Sequence, residues 1–262
     1  MNPYKIVEPT VISFSGGRTS AFMLYKVLEA NDGKLPEDSM VIFANTGKED
    51  EETLKFVKAC QDHWNVPITW VEYRSEKPGY AVVDYDTASR NGEPFEQLII
   101  KKKYLPNTFA RFCTQELKVK LMNKVFPHKD FVTFVGIRAD EQRRVAKMKD
   151  NKDEKQCPLA EDGITQEDVL EFWKNSPFDL KLTVINGKTP LGNCDLCYLK
   201  DLKQKFSIVK RYPEKVVWWA EMENKIGATF RRDHPTYNEI ISKAEEQIDL
   251  FADESIPCFC GD

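Results

Sequence analysis

Long apolar runs are missing from this chain. The longest, such as Phe131 to Val135 and Val216 to Ala220, fall far short of the roughly 20 residues that a membrane-spanning helix needs. The start, MNPYKIVEPT, carries no apolar leader core, so the expected location is the cytoplasm and no membrane partner is expected. An excess of charge of one sign is also lacking. With 38 basic against 42 acidic residues the net charge is −4, which excludes a molecule-wide footprint for non-specific nucleic-acid binding and leaves only local patches. The 3 histidines, His63, His128 and His234, show no ligand spacing, and no histidine metal site is expected. Internal repeats and low-complexity tracts are absent. So is a Walker A loop, because Gly187-Lys188-Thr189 has no glycine five residues before Gly187.

What is present is material for a core: 262 residues, 41% hydrophobic and 31% charged, enough for one large α/β domain with a smaller appendage. Val11 to Ser15 is a buried-strand run. It is followed by Gly16-Gly17 and a helix with Phe22, Met23, Leu24, Val27 and Leu28 at helical spacing. Met40 to Ala44 reads as the second strand, Asp50 to His63 as a helix, and Ile68 to Tyr73 as a third strand. Ser75 to Asn107 is irregular and rich in Gly, Pro and charge, which predicts an active-site loop. Thr114 to Val125 reads as a helix, Phe131 to Gly136 as a strand, and Thr165 to Trp173 as a helix opened by the capping box T-Q-E-D. After Asn193 the pattern is helical to about Phe251. This α/β alternation predicts a parallel sheet flanked by helices over residues 1–186, with a helical, cysteine-bearing part over 187–262.

A glycine turn between a buried strand and a helix aims unpaired N–H groups at one point, and that point favours an anion. Ser15-Gly16-Gly17-Arg18-Thr19-Ser20 is such a turn. The glycines admit close approach, Ser15, Thr19 and Ser20 add hydroxyls, and Arg18 adds charge. These residues resemble the SGGxDS signature of the PP-loop ATP pyrophosphatases, which include the phosphoadenylyl-sulfate (PAPS) reductase-like family. Asn45-Thr46-Gly47 followed by Glu52-Thr53 is similar to that family's D-T-G…E-T segment. Arg111 to Lys118 is similar to its cysteine-bearing C-x3-K/R element, Gly136-Ile137-Arg138 with Glu141 to its G-I-R-x2-E element, and Pro158-Leu159 through Asp168-Val169 to its P-L/I-x-x-W-T-x2-D-V segment. Thr19 stands where the family's loop usually carries Asp, and Asn45 where Asp is common.

The resemblance implies an adenine nucleotide alpha hydrolase-like fold. It also implies ATP or an adenylyl nucleotide with Mg2+ on Ser15 to Ser20 and Asn45 to Gly47, and Arg138 as a phosphate ligand. Arg138 has independent logic, since an Arg just past a strand end lies in the crevice where open α/β sheets bind ligands. Lys118 is a second candidate cation.

Of the 7 cysteines, Cys60, Cys113 and Cys157 stand singly, Cys194 and Cys197 form a C-x2-C, and Cys258 and Cys260 a C-x-C. A reducing compartment disfavours a disulfide framework, and the clustering points to a metal. In the cluster-bearing sulfonucleotide reductases that this chain resembles, a C-C pair precedes a C-x2-C. Here Phe112 replaces one member, leaving Cys113, Cys194 and Cys197 with Cys260, ahead of Cys258, as ligands of a 4Fe-4S cluster. The rival is an all-cysteine zinc site on Cys194, Cys197, Cys258 and Cys260. Cys258 and Cys260 are also candidates for a persulfide or a thiol nucleophile. Cys60 and Cys157 read as small buried hydrophobes, and Val216, Val217, Trp218, Trp219 and Met222 as helix core or a partner face.

The overall plan resembles the DNA-phosphorothioation ATP pyrophosphatases. That implies adenylation of a substrate oxygen followed by sulfur insertion, with catalytic Arg138, Lys118 and Cys258. A cysteine desulfurase is the implied sulfur donor. Nucleic acid would be met through Lys101 to Lys103, Arg143-Arg144 and Arg231-Arg232. A PAPS or adenylyl-sulfate reductase is the alternative, and a non-catalytic nucleotide-binding iron-sulfur subunit the second.

Overall fold

The computed structural model describes residues 2–149, 155–184 and 189–244. β1 (Thr10–Phe14) buries Val11, Ile12 and Phe14 and is followed by α1 (Arg18–Ala30), which buries Phe22, Met23, Leu24, Val27 and Leu28. β2 (Ser39–Asn45) leads to α2 (Glu51–His63). Asp50 caps α2 by accepting the Glu52 N–H at 3.1 Å, and Glu51 and Glu52 complement the positive end of the helix. β3 (Ile68–Tyr73) completes the first half.

The stretch expected to be irregular contains two regular elements: β4 (Tyr80–Val83) and α3 (Glu93–Lys102). β4 is four residues on the sheet edge, mostly half-buried, and shows no apolar alternation to read. In α3 the misleading residue is Pro94, which occupies the first turn, where its missing N–H costs no hydrogen bond. α4 (Phe112–Thr114) runs through a π-helical segment (Gln115–Val119) into α5 (Lys120–Val125), and β5 (Val132–Val135) follows. α6 (Gln142–Lys149), β6 (Lys155–Gln156), α7 (Pro158–Glu161) and α8 (Gln166–Lys174) come next. α8 opens on the expected box, with the Asp168 carboxylate accepting the Thr165 N–H at 2.7 Å. The last described helices are α9 (Leu202–Arg211), α10 (Glu214–Ile226) and α11 (Tyr237–Lys243). The proposed boundary near Gly187 and the helical pattern beyond residue 244 lie outside the described residues.

Among the described residues the sheet has six strands in the order β4-β3-β2-β1-β5-β6, all parallel except β4. This is the mostly parallel, helix-flanked sheet expected from the sequence. The chain builds outward from β1 to β3 and then returns to place β5 on the other side of β1, so the switch point lies at the ends of β1 and β5. Open α/β sheets bind ligands in the crevice that such a reversal opens.

The helices after Asn193 do not pack apart from the sheet. Leu191, Leu196, Tyr198, Trp219 and Tyr237 belong to the same buried cluster as Val11, Phe43 and Trp70. Phe95 of α3 meets Trp218 of α10 at 5.3 Å between ring centroids. Val216, Trp218, Trp219 and Met222 are buried, whereas Val217 faces outward at 49% exposure, so this stripe is core.

Candidate functional site

Gly16 leaves β1 with φ +82°, and a Cβ there would come within 2.7 Å of Thr53 Cγ2, so this position requires glycine. Gly17 caps α1 in an ordinary extended conformation and has no side chain to offer. No acidic residue stands in the first turn of α1 either. The helix N-terminus therefore presents its N–H groups and positive dipole end without a built-in counter-charge. Ser20 Oγ stiffens the loop, accepting the Ser15 N–H at 3.2 Å and lying 2.9 Å from Ser15 Oγ. Across the crevice Gly136, just past β5, approaches so closely that a Cβ would meet Ser20 Cα at 3.0 Å.

Arg138 lies beside the loop. Its Nη1 donates to Thr19 Oγ1 at 3.0 Å and its Nε to Asp140 Oδ1 at 3.0 Å. The residue in the place of the family's usual Asp thus docks an arginine. Arg18, in contrast, turns away: its guanidinium grips Asp179 through two bonds of 2.7 Å and donates to the Leu180 carbonyl at 2.9 Å. Its charge holds the 179–180 segment against α1. Ser15 to Thr19, Arg138, Leu180 and Leu182 line one cavity of about 130 Å³. A second, of about 640 Å³, lies between β1, β5, α5 and α6; Ser15 lines both, and Lys118 stands on the wall of the larger.

Asn45, Thr46 and Gly47 line neither cavity. Asn45 is fully buried, donating to Glu72 Oε1 at 2.6 Å and the Ser89 carbonyl at 2.8 Å while accepting the Gly47 N–H at 3.1 Å. Thr46 donates its hydroxyl to Glu49 and lies 3.5 Å from Cys194 Sγ. Thr46 thereby braces the turn after β2 against the C-x2-C segment, and an antiparallel bridge between Glu49 and Cys194 joins the two.

Cys194 and Cys197 share one turn, with the Cys197 N–H donating to the Cys194 carbonyl at 3.3 Å. Cys113 Sγ lies 3.5 Å from the Tyr198 hydroxyl. Burial first, and then the Glu49 carboxylate, push the Cys194 thiol well above its ordinary range, while the Lys118 ammonium opposes them. Lys118 Nζ is 4.0 Å from Glu49 Oε1, so the π-helical turn places one cation between the larger cavity and the cysteine turn. Among the described residues no group of three or more His, Cys, Asp or Glu side chains is gathered to hold a metal ion. Among the described residues Cys113, Cys194 and Cys197 are therefore not gathered as a trio. Cys258 and Cys260 lie outside the described residues.

Two of the basic clusters proposed for nucleic acid include buried members. Arg144 is ion-paired with Glu141 and Arg231 with Asp233, at 8% and 7% exposure, so neither offers its charge to a phosphate chain. Lys102 pairs with Glu116 at 3.0 Å. Besides Lys118, the cations that line the larger cavity are Arg111, Lys129, Lys147 and Lys155. The sequence signalled none of them, because they come from separate elements.

Behind the cysteine turn, Lys205 is buried at 1% exposure with Nζ 3.1 Å from His234 Nδ1. Burial, followed by the Lys205 and Arg231 charges, holds the His234 imidazole down at about 4. The folded state keeps this ring neutral, whereas the unfolded chain protonates it near its ordinary 6.5. The contribution is therefore complete above about pH 6.5 and is lost as the pH falls toward about 4. The urea midpoint is expected to drop between pH 7.5 and pH 5, and His234→Gln is expected to flatten that dependence; parallel profiles would refute the assignment.

An uncharacterized nin region protein, ORF290, of Escherichia phage lambda is 32% identical over 207 residues, covering 74% of this chain and 67% of its own length. An uncharacterized 37.8 kDa protein in the gpa 5' region of Escherichia phage 186 is 24% identical over 87% of this chain and 78% of its own. The U34-tRNA thiolase NcsA from Methanococcus maripaludis, solved with its 4Fe-4S cluster, aligns over 95% of this chain and 75% of its own at 16% identity and a TM-score of 0.38, too distant a likeness to transfer chemistry. Residues 9–176, more than half of the chain and including the Ser15–Ser20 loop and Arg138, match the phosphoadenosine phosphosulfate reductase domain, and the chain belongs to that family.

Proposed function

We propose that this protein is a PP-loop ATP pyrophosphatase that adenylates an oxygen of its substrate so that sulfur can replace it. The observation that carries this reading is the Ser15–Ser20 loop at the sheet's switch point, uncapped at α1, with Arg138 docked on Thr19. An oxygen of the acceptor attacks the α-phosphorus of ATP; the new O–P bond forms as the bond to the β-phosphate oxygen breaks, and pyrophosphate leaves. A sulfur nucleophile then displaces AMP, which departs with the original oxygen. The loop N–H groups and the Arg138 guanidinium stabilise the negative charge that develops on pyrophosphate, an electrostatic role. Lys118, on the wall of the larger cavity, stands by the acceptor side. Mg2+ enters as the counter-ion of ATP.

The acceptor in this proposal is a nucleic acid, in DNA phosphorothioation or tRNA thiolation, and the sulfur donor is a cysteine desulfurase. Cys258 is the proposed sulfur-handling thiol. The 4Fe-4S cluster on Cys113, Cys194, Cys197 and Cys260 rests on their sequence pattern, and no step is assigned to it.

The test combines metal analysis of anaerobically purified protein with assays of pyrophosphate release from ATP and sulfite release from PAPS. Pyrophosphate release is expected, slowed about 100-fold or more by Arg138→Ala. Sulfite without pyrophosphate would make the chain a sulfonucleotide reductase; nucleotide binding without either product would make it a non-catalytic subunit. Iron with equimolar sulfide supports the cluster, and one zinc per chain refutes it.

A further inference from the structure

Exposed hydrophobic side chains crowd one stretch of the surface. Among the described residues, Ile100, Tyr104 and Phe109 all stand out between the last turn of α3 and the segment that follows it. Phe109 is 99% exposed, so its ring buries nothing against the fold. Its position is nevertheless fixed. Asn107 Oδ1 accepts the Phe109 N–H at 3.0 Å and the Ala110 N–H at 2.9 Å, and the Asn107 N–H donates to the Ala110 carbonyl at 3.2 Å. Arg111 Nε adds a bond to the Thr108 carbonyl at 3.3 Å. An aromatic ring held in water on a tied turn, with further apolar surface nearby, gains nothing until a ligand covers it.

Tyr104 is tied down in another way. Its ring packs edge-on against Phe112 at 4.7 Å between centroids and still leaves the residue 43% exposed. Lys101 and Lys103, in the same stretch, are exposed. Lys101 donates to the Ser75 carbonyl at 3.1 Å, a neutral partner, and among the described residues no carboxylate pairs with either lysine. Glu116 is engaged by Lys102 and Lys120, each at 3.0 Å. Arg111 and Phe112, on which the Asn107 turn ends, line the larger cavity.

Aromatic faces interleaved with unpaired lysines suit a ligand that alternates flat bases with negative charges, which is the repeat of a nucleic-acid strand. A protein partner matches less well, because lysine is depleted from the cores of protein interfaces. A duplex also matches less well, since its bases are already stacked on one another. We propose that this surface seats a single strand of nucleic acid, with bases stacked on Phe109 and Tyr104 and phosphates on Lys101 and Lys103. This inference rests on the reading of the acceptor as a nucleic acid and names the surface that receives it.

Fluorescence anisotropy of the full chain with short labelled DNA and RNA single strands tests it. Phe109→Ala is expected to weaken strand binding about fivefold or more, the worth of one base–aromatic stack. Its circular dichroism spectrum should stay that of the wild type, and Phe109→Trp should preserve binding. Lys101→Glu combined with Lys103→Glu removes two phosphate contacts and should make the slope of log K against log salt shallower by about 1.4, at about 0.7 per contact. Val7→Ala and Lys34→Glu, exposed before β1 and after α1, should alter neither. Unchanged strand affinity in Phe109→Ala protein would overturn the proposal. So would equal affinity for a duplex of the same sequence, equal effects of Lys34→Glu and the Lys101/Lys103 pair, or Phe109-dependent attachment to phosphatidylserine vesicles by protein that binds no strand. Pyrophosphate release from ATP is measured on the same samples. Strand binding that needs Phe109, without pyrophosphate release, would sustain this inference and defeat the adenylation reading; pyrophosphate release without strand binding would do the reverse.

Discussion

Gly17→Val is expected to yield a folded protein that no longer binds ATP or adenylyl nucleotides. Gly17 has φ −97° and ψ 164°, a conformation that valine adopts readily, so the substitution adds no backbone strain. What it adds is a branched side chain at the uncapped start of α1, where a phosphate must approach the helix N–H groups. Each charge-assisted hydrogen bond lost costs about 1.5–3 kcal/mol, and losing even two reduces affinity about 100-fold or more. Calorimetric titration with ATP, alongside far-ultraviolet circular dichroism, checks both halves of the expectation. The contrast is Gly16→Ala: Gly16 lies at φ +82° with Thr53 Cγ2 at 2.7 Å from the added Cβ, so that change should damage the fold itself. Unchanged nucleotide affinity in folded Gly17→Val protein would remove the anion site from the loop.

The largest loss of stability is expected from Lys48→Met. Lys48 Nζ lies 3.1 Å from Asp195 Oδ2, with both side chains 6% exposed, and it also sits 5.1 Å from the centre of the Trp218 ring. Asp195 also accepts from Trp219 Nε1 at 2.8 Å and from the Leu196 N–H at 2.7 Å, but these neutral donors do not replace the charge that balances a buried carboxylate. Removing one partner of such a pair costs about 3–5 kcal/mol. The double change Lys48→Met with Asp195→Asn, which removes the orphaned charge, should recover part of this. Urea denaturation measures both. A loss below about 1 kcal/mol in the single variant would reduce the pair to the worth of a surface ion pair. Because the Asp195 N–H also donates to the Lys48 carbonyl at 2.8 Å, the pair fastens the cysteine turn to the segment after β2.

Much of the fold was legible because its signals are local. The runs that form β1, β2, β3 and β5 are apolar and bounded by turn residues, and the Thr165–Asp168 box announces α8 within four positions. β4 and β6 gave no such signal: an edge strand of four residues and an outer strand of two bury too little to impose a pattern. In α3, Pro94 read as loop chemistry because a proline in the first turn of a helix and one in a loop look alike from sequence.

The candidate site divides along the same line. The sequence by itself determined the turn between β1 and α1, since Gly16, at φ +82° between a buried strand and a helix, sets the backbone path there. It also marked Arg138 as a residue beyond a strand end. Only the tertiary structure decided that Arg18 spends its charge on Asp179, that Asn45 braces Glu72 and Gly47, and that Thr19 docks Arg138. It likewise decided that five cations from five elements face one cavity. The reason is one of range: backbone conformation and side-chain period are set by neighbours in sequence, whereas the partner of a charge is set by whichever residues the packing of the sheet and helices brings within a few ångströms of it.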